Sequence, residues 1–168
     1  MLIAFAGLPG SGKSTIAREL ALRTGAVWLR ADSIEQAIRE SGVVPGDMRD
    51  AGYRAAHAVA FDNLRLGRDV VADCVNDWKI ARDGWQAVAL RAGVAVMWVE
   101  IVCSDPAEHR RRVETRKVDV ARLDLPDWQA VMGREYHDWD REHLTVDTAG
   151  CDVDGALEPI LAALRRLL

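Results

Sequence analysis

Short apolar runs alternate with amphipathic stretches along the chain. Leu2 to Ala6, Ala26 to Leu29, Asp69 to Ala72, Val94 to Val102 and Leu144 to Val146 read as strands. Between and after them, helical patterns begin near Lys13, Asp32, Gly52, Trp78, Pro106, Pro126 and Asp152. The last carries Leu157, Ile160, Leu161, Leu164 and Leu167 at helical spacing. Strands that alternate with helices predict an α/β fold built on a mostly parallel sheet. Gly42, Pro45 and Gly46 break the chain between Ser41 and Asp50, ahead of a helix holding Tyr53, Ala56, Val59, Ala60 and Leu64. Lys117 to Pro126 forms a second irregular zone. Both fall where a doubly wound sheet places excursions over the carboxyl ends of its strands, and ligands bind in that crevice.

Composition narrows the class. A length of 168 residues, 49% hydrophobic and 29% charged, fits one globular domain over 1–168 that needs no disulfide or metal staple. The net charge of −4 argues against broad, sequence-independent adhesion to nucleic acid. Only Lys13, Lys79 and Lys117 among the 22 basic residues are lysine, so arginine supplies nearly all the positive charge. Cys74, Cys103 and Cys151 are odd in number and lack metal-site spacing, which fits a reduced, cytoplasmic setting. The apolar start, Met1 to Ala6, is too short for a secretory signal, and no stretch is long enough to span a membrane.

The densest chemical signal is Gly7-Leu8-Pro9-Gly10-Ser11-Gly12-Lys13-Ser14-Thr15, which fits G-x-x-x-x-G-K-[ST]. At average residue frequencies that pattern arises by chance in roughly 0.5% of chains this long. An apolar strand precedes it and the helical pattern Ser14 to Leu22 follows it, the context a phosphate-binding loop requires. Its glycines turn successive backbone N–H groups onto phosphates, and the helix N-terminus adds its partial positive charge. Lys13 reaches the β and γ phosphates, and the Ser14 hydroxyl is placed to hold Mg²⁺, with Thr15 the next candidate.

A Ras-like GTPase needs N-K-x-D, which is missing; Asp147-Thr148-Ala149-Gly150 matches D-x-x-G but lies beyond the last strand, so it reads as a strand end and turn. A ring ATPase of the AAA class needs a helical second domain, and the roughly twenty residues after the last strand hold one helix at most. Size favours a kinase. The segments GLPGSGKSTIAREL, WLRADSI, GRDVVADCVNDWKIAR and EHRRRVETR together resemble the P-loop kinase superfamily that includes gluconate, shikimate and adenylylsulfate kinases and polynucleotide 5′-kinases. Within it they resemble in particular the zeta-toxin-like bacterial kinases and the small stand-alone kinases grouped with them. The resemblance implies a three-layer α/β/α P-loop fold with sheet order 2-3-1-4-5, ATP as donor, and an arginine-rich lid at about 104–125.

It also implies roles for residues outside the loop. Asp32 ends the second strand where these kinases place a carboxylate facing the acceptor, as the base that takes the hydroxyl proton. The competing reading makes Asp32 an N-cap, with Glu35 completing a capping box. Asp73, ending the third strand, is expected on the metal side; a buried carboxylate is costly without a nearby cation. Asn76 and Arg82 resemble acceptor contacts, although a loop cap and an exposed helix charge are the plainer readings. In the run from His109 to Arg116, Arg112 and Arg116 are i and i+4 and project from one face toward the transferring phosphoryl group. Arg110 is expected beside the adenine. Trp128, Tyr136 and Trp139 sit at offsets that would share a helix face, as core or as a stacking surface.

The favoured function is thus an ATP- and Mg²⁺-dependent kinase acting on a hydroxyl of a small molecule. A polynucleotide 5′-kinase is the first alternative, which the low lysine content disfavours. A nucleotide-binding regulator without its own acceptor is the second.

Overall fold

The computed structural model describes residues 1–43, 48–117 and 124–167. Strands β1 (Leu2–Ala6), β2 (Val27–Arg30), β3 (Val70–Asp73), β4 (Val96–Val102) and β5 (Leu144–Asp147) form one sheet in the order β2-β3-β1-β4-β5. Every pairing is parallel, with Phe5 opposite both Asp73 and Val99, and Arg30 opposite Asp73. The strand order is the one that the resemblance to P-loop kinases implies.

The central strand β1 is apolar without alternation because both its faces are covered. Ile3 and Phe5 pack with Ile16 and Leu20 of α1 (Lys13–Thr24) and with Leu157, Ile160 and Leu164 of α7 (Val153–Leu167). Leu2 and Ala4 face the other way, onto Ala56, Ala60 and Leu64 of α3 (Ala51–Arg65) and Trp85 and Val88 of α4 (Lys79–Ala92). The period-2 alternation of a strand thus splits one apolar run between two layers, giving the three-layer α/β/α arrangement. Val59 and Leu167, expected on apolar faces, are exposed.

Three other helices lie among the described residues: α2 (Ala31–Glu40), α5 (Pro106–Thr115) and α6 (Trp128–Met132). The α5 start is strongly specified. Asp105 accepts the N–H groups of Ala107 and Glu108 at 2.8 and 3.2 Å, and Pro106 occupies the first helical position. Asp127 caps α6 in the same way.

Two expectations need correction. Asp32 is not an N-cap, because β2 passes straight into α2 with Arg30 at the junction, which puts Asp32 in the first helical turn. No capping box with Glu35 forms there. Trp128, Tyr136 and Trp139 do not share a helix, since α6 stops at Met132 before Gly133 and the later two lie in irregular chain. Trp139 instead stacks on His143 at 4.0 Å, meets Trp98 edge-on at 6.0 Å, and lies under the Arg82 guanidinium at 4.7 Å. Trp85 is fully buried, whereas Trp78 is exposed and stacks on His137.

Candidate active site

A cleft of about 1020 Å³ opens over the carboxyl ends of the strands, lined by the loop after β1, the starts of α1 and α2, the end of α5 and the segment after β5. That volume is at the top of the range for single-ligand pockets, leaving room for a nucleotide and a second small molecule.

The β1–α1 loop is held from behind. His109 Nε2 of α5 lies 2.9 Å from the Pro9 carbonyl, and Thr148 Oγ1, just past β5, lies 2.7 Å from that of Ser11. In a trans peptide the N–H points opposite to the C=O, so these anchors turn the N–H groups of Gly10 and Gly12 toward the cleft they line. The loop tolerates no side chain at two points. A Cβ on Gly7 would sit 2.2 Å from the Ile101 carbonyl oxygen, and one on Gly10 would sit 2.5 Å from Val113 Cγ2, both at positive φ.

Behind the loop lies a buried charge pair. Lys13 Nζ donates to Asp73 Oδ1 at 2.9 Å, and the Ser14 hydroxyl donates to the same oxygen at 3.2 Å. Burial alone would lower the Lys13 pKa, but the Asp73 charge and hydrogen bond outweigh it and hold it above the ordinary value. Asp73 Oδ2 is buried and has no hydrogen-bond partner. An orphaned carboxylate oxygen beside a serine hydroxyl suits a hard cation such as Mg²⁺, which binds few protein oxygens and keeps water and phosphate oxygens. Among the described residues no group of three or more His, Cys, Asp or Glu side chains forms a metal cage.

Asp32 lines the same cleft as Lys13 and Ser14, and its charge raises the pKa of Lys13 and counteracts the lowering, by burial, of that of Arg116. Arg30 Nε lies 3.9 Å from Asp32 Oδ2. Arg116 caps the C-terminus of α5, and its Nη2 donates to the Pro126 carbonyl at 3.1 Å while its Nε is buried without a partner.

The other arginines behave differently from expectation. Arg112 lines the cleft but is committed as a clamp, donating to Thr148 Oγ1 and Glu108 Oε1 at 2.7 Å and to the Thr148 carbonyl at 2.8 Å. Arg110 is exposed, pairs with Glu114 at 2.8 Å and does not line the cleft, because its position on α5 turns it to solvent. Arg82 is fully buried and donates to the carbonyls of His137 and Asp138, so it braces the chain after α6 and does not line the cleft. Asn76, at φ 50, donates from its side chain to the Phe5 carbonyl at 2.6 Å and is also fully buried. It shapes the turn after β3 without lining the cleft.

Sequence reasoning missed His109 and Thr148 as loop anchors, and Glu35, Gln36, Arg39 and Arg134 as cleft residues. The helical spacing of Asp32, Glu35, Gln36 and Arg39 was the available signal for the α2 stripe.

The fold recurs in solved structures. A gluconokinase from Sinorhizobium meliloti 1021 matches at TM-score 0.66 and 20% identity, over 98% of this chain and 91% of its own. Mycobacterium tuberculosis APS kinase CysC, in complex with AMPPNP and APS, matches at 0.69 and 18%, over 98% and 96%. Chaetomium thermophilum Kti12, in complex with ADP-AlF3, matches at 0.68 and 19%, over 97% and 98%. At these identities the likeness establishes the P-loop kinase-like fold. No curated protein sequence matched the chain. The helical second domain that a ring ATPase would need has no counterpart among the described residues, where α7 alone follows β5. A family model described as an AAA domain matches residues 2–134, from β1 past the end of α6, and the chain belongs to that AAA-domain family.

Proposed function

We propose that the protein is an ATP- and Mg²⁺-dependent phosphotransferase whose acceptor is a hydroxyl of a small molecule. The observation that carries this reading is that Lys13 and Ser14, with Asp73 buried behind them, line the same cleft as Asp32, and that the cleft is large enough for two ligands. The N–H groups of the loop and the Lys13 ammonium hold the β and γ phosphates. Ser14 and Asp73 are the residues that would hold Mg²⁺, which supplies charge neutralisation on the phosphates when bound.

Asp32 takes the proton of the acceptor hydroxyl as its oxygen forms the bond to the γ-phosphorus. The bond from that phosphorus to the bridging oxygen breaks, and ADP leaves. Arg116 meets the migrating phosphoryl group from the lid side, and Arg112 fixes the helix that carries it. Within the expected lid at about 104–125, α5 is pinned to the loop through His109 and Arg112. Residues 118–123 of the expected lid, and 44–47 of the excursion after α2, lie outside the described residues. The nucleotide base is assigned in this reading to the side of the cleft lined by Cys151, Asp152 and Val153.

A single-domain, reducing, cytoplasmic setting belongs to the same reading; the three cysteines are unpaired, and no described helix is long and apolar enough to cross a membrane. ATP consumption screened across sugars, amino alcohols, antibiotics, nucleosides and 5′-hydroxyl oligonucleotides tests it, with Lys13→Ala as blank. Acceptor-dependent turnover absent from the blank is expected. Slow hydrolysis that no acceptor accelerates would contradict it.

A further inference from the structure

We propose that the acceptor is an uncharged polyhydroxy compound, recognised by a wall of α2 and its neighbours in which the guanidiniums of Arg30, Arg39 and Arg134 are each already matched to a carboxylate. The inference rests on the kinase reading and concerns the half of the cleft facing Asp32.

The wall is a helical stripe. Asp32, Glu35, Gln36 and Arg39 all line the cleft at i, i+3, i+4 and i+7, with Tyr53 of α3 and Arg134 beyond α6 beside them. The stripe packs on α3 where Gly52 makes room: a Cβ there would sit 2.2 Å from Glu35 Cγ, so the Glu35 side chain lies directly against the α3 backbone.

Its charges cancel pairwise. Arg39 Nη2 lies 3.3 Å from Glu35 Oε2, Arg134 donates to Asp77 Oδ2, and Arg30 lies 3.9 Å from Asp32. A phosphate, sulfate or carboxylate on the acceptor would need a guanidinium of its own, and an ammonium would need a carboxylate of its own; otherwise a charge is desolvated without compensation. Arg30, Arg39 and Arg134 are thus spoken for, while Arg116, Lys117 and Asp124 line the same cleft from the end of α5 and the chain before α6, where Arg116 is assigned to the migrating phosphoryl group. Burial, reinforced by the Asp32 charge, also pushes the Glu35 carboxyl above the ordinary carboxylate range despite Arg39, which marks a site already short of solvent.

What the wall does offer is a dense array of fixed donors and acceptors. Vicinal hydroxyls each donate once and accept twice, and so match carboxylate oxygens and guanidinium N–H groups at adjacent positions without adding charge. The wall offers no stacking platform. Tyr53 is the one aromatic residue among the described residues lining the cleft, and its hydroxyl is engaged by the Asn76 N–H at 3.3 Å. Nucleoside and single-strand recognition leans on such platforms, so both fit this wall poorly.

The test uses the whole protein with ATP and acceptor sets built on common skeletons: glucose, gluconate and glucosamine; ribose, ribonate and ribosylamine; and glycerol, glycerate and serinol. A nucleoside and a 5′-hydroxyl oligonucleotide complete the panel. The uncharged member of the preferred set should lead in kcat/KM by about tenfold or more, the cost of one uncompensated charge. In Glu35→Gln, which releases Arg39, the carboxylate-bearing member should gain about tenfold relative to the uncharged one. Preference for a charged member, or for the nucleoside or oligonucleotide, overturns the inference and leaves the kinase reading intact. An unchanged preference in Glu35→Gln also overturns it. ATP turnover that no acceptor stimulates overturns the kinase reading, and the inference with it.

Discussion

The pair Lys13–Asp73 permits a prediction about stability that is independent of any substrate. Both side chains are almost fully enclosed, with relative exposures of 8% and 0%. Lys13→Met removes the ammonium and leaves the Asp73 carboxylate buried with only the Ser14 hydroxyl on Oδ1 and nothing on Oδ2. Breaking a buried pair by removing one partner costs about 3–5 kcal/mol, because the surviving charge is uncompensated. With a urea slope of about 2 kcal/mol/M, the unfolding midpoint should fall by about 2 M. Asp73→Asn on the Lys13→Met background removes the stranded charge and should recover more than half of that loss. The assay is urea denaturation of the wild type, both single variants and the double variant in ligand-free buffer, read as a double-mutant cycle. A Lys13→Met cost below about 1 kcal/mol, or no recovery in the double variant, would refute the argument that Lys13 is the counter-charge of Asp73. The same reasoning says that a Lys13→Ala blank must be shown to be folded under assay conditions.

Three further outcomes are expected from the anchors and the core. Thr148→Val strips the hydroxyl that meets Ser11 O and Arg112 Nη1, and should cost about 2 kcal/mol, or a melting-temperature drop of about 4–8 °C by calorimetry. Gly10→Ala drives a methyl against Val113 at φ 86 and should weaken ATP binding about tenfold in titration calorimetry while leaving the fold intact by circular dichroism. His57 packs 4.4 Å from the Trp85 ring, and its pKa is lowered by burial against a smaller opposing effect of Asp50. Neutral in both states above its unfolded pKa of about 6.5, it contributes no pH dependence there; below that the unfolded chain takes the proton first, so stability falls as pH drops. Urea midpoints at about pH 7.5 and 5.5 should therefore diverge more in the wild type than in His57→Gln.

The parts of the fold that were legible in the sequence share one physical cause. Leu2 to Ala6 and the apolar residues of β3 are buried on both faces, so their composition alone marks central parallel strands, and the phosphate loop is written in glycines held at positive φ. The errors arise where tertiary partners decide. Arg82 has the look of an exposed helix charge, but the carbonyls that bury it lie 55 and 56 residues further along the chain. His109 similarly answers to Pro9, 100 residues earlier. The shift of Asp32 from cap to first turn comes from a strand that enters its helix without a loop, which no local signal announces. Gly133, in contrast, was visible, and reading it as a stop would have separated Trp128 from Tyr136 and Trp139.

The central claim is that Asp32 acts on the acceptor hydroxyl while the loop and Lys13 hold the nucleotide. The direct measurement is the single-turnover rate of γ-phosphoryl transfer by wild type and Asp32→Asn to the acceptor found in the screen, with ATP affinity measured in parallel. The account predicts a fall of about 10²-fold or more in transfer with ATP affinity unchanged, since the half-exposed Asp32 touches neither Lys13 nor Asp73. Equal transfer rates in the two proteins would contradict it.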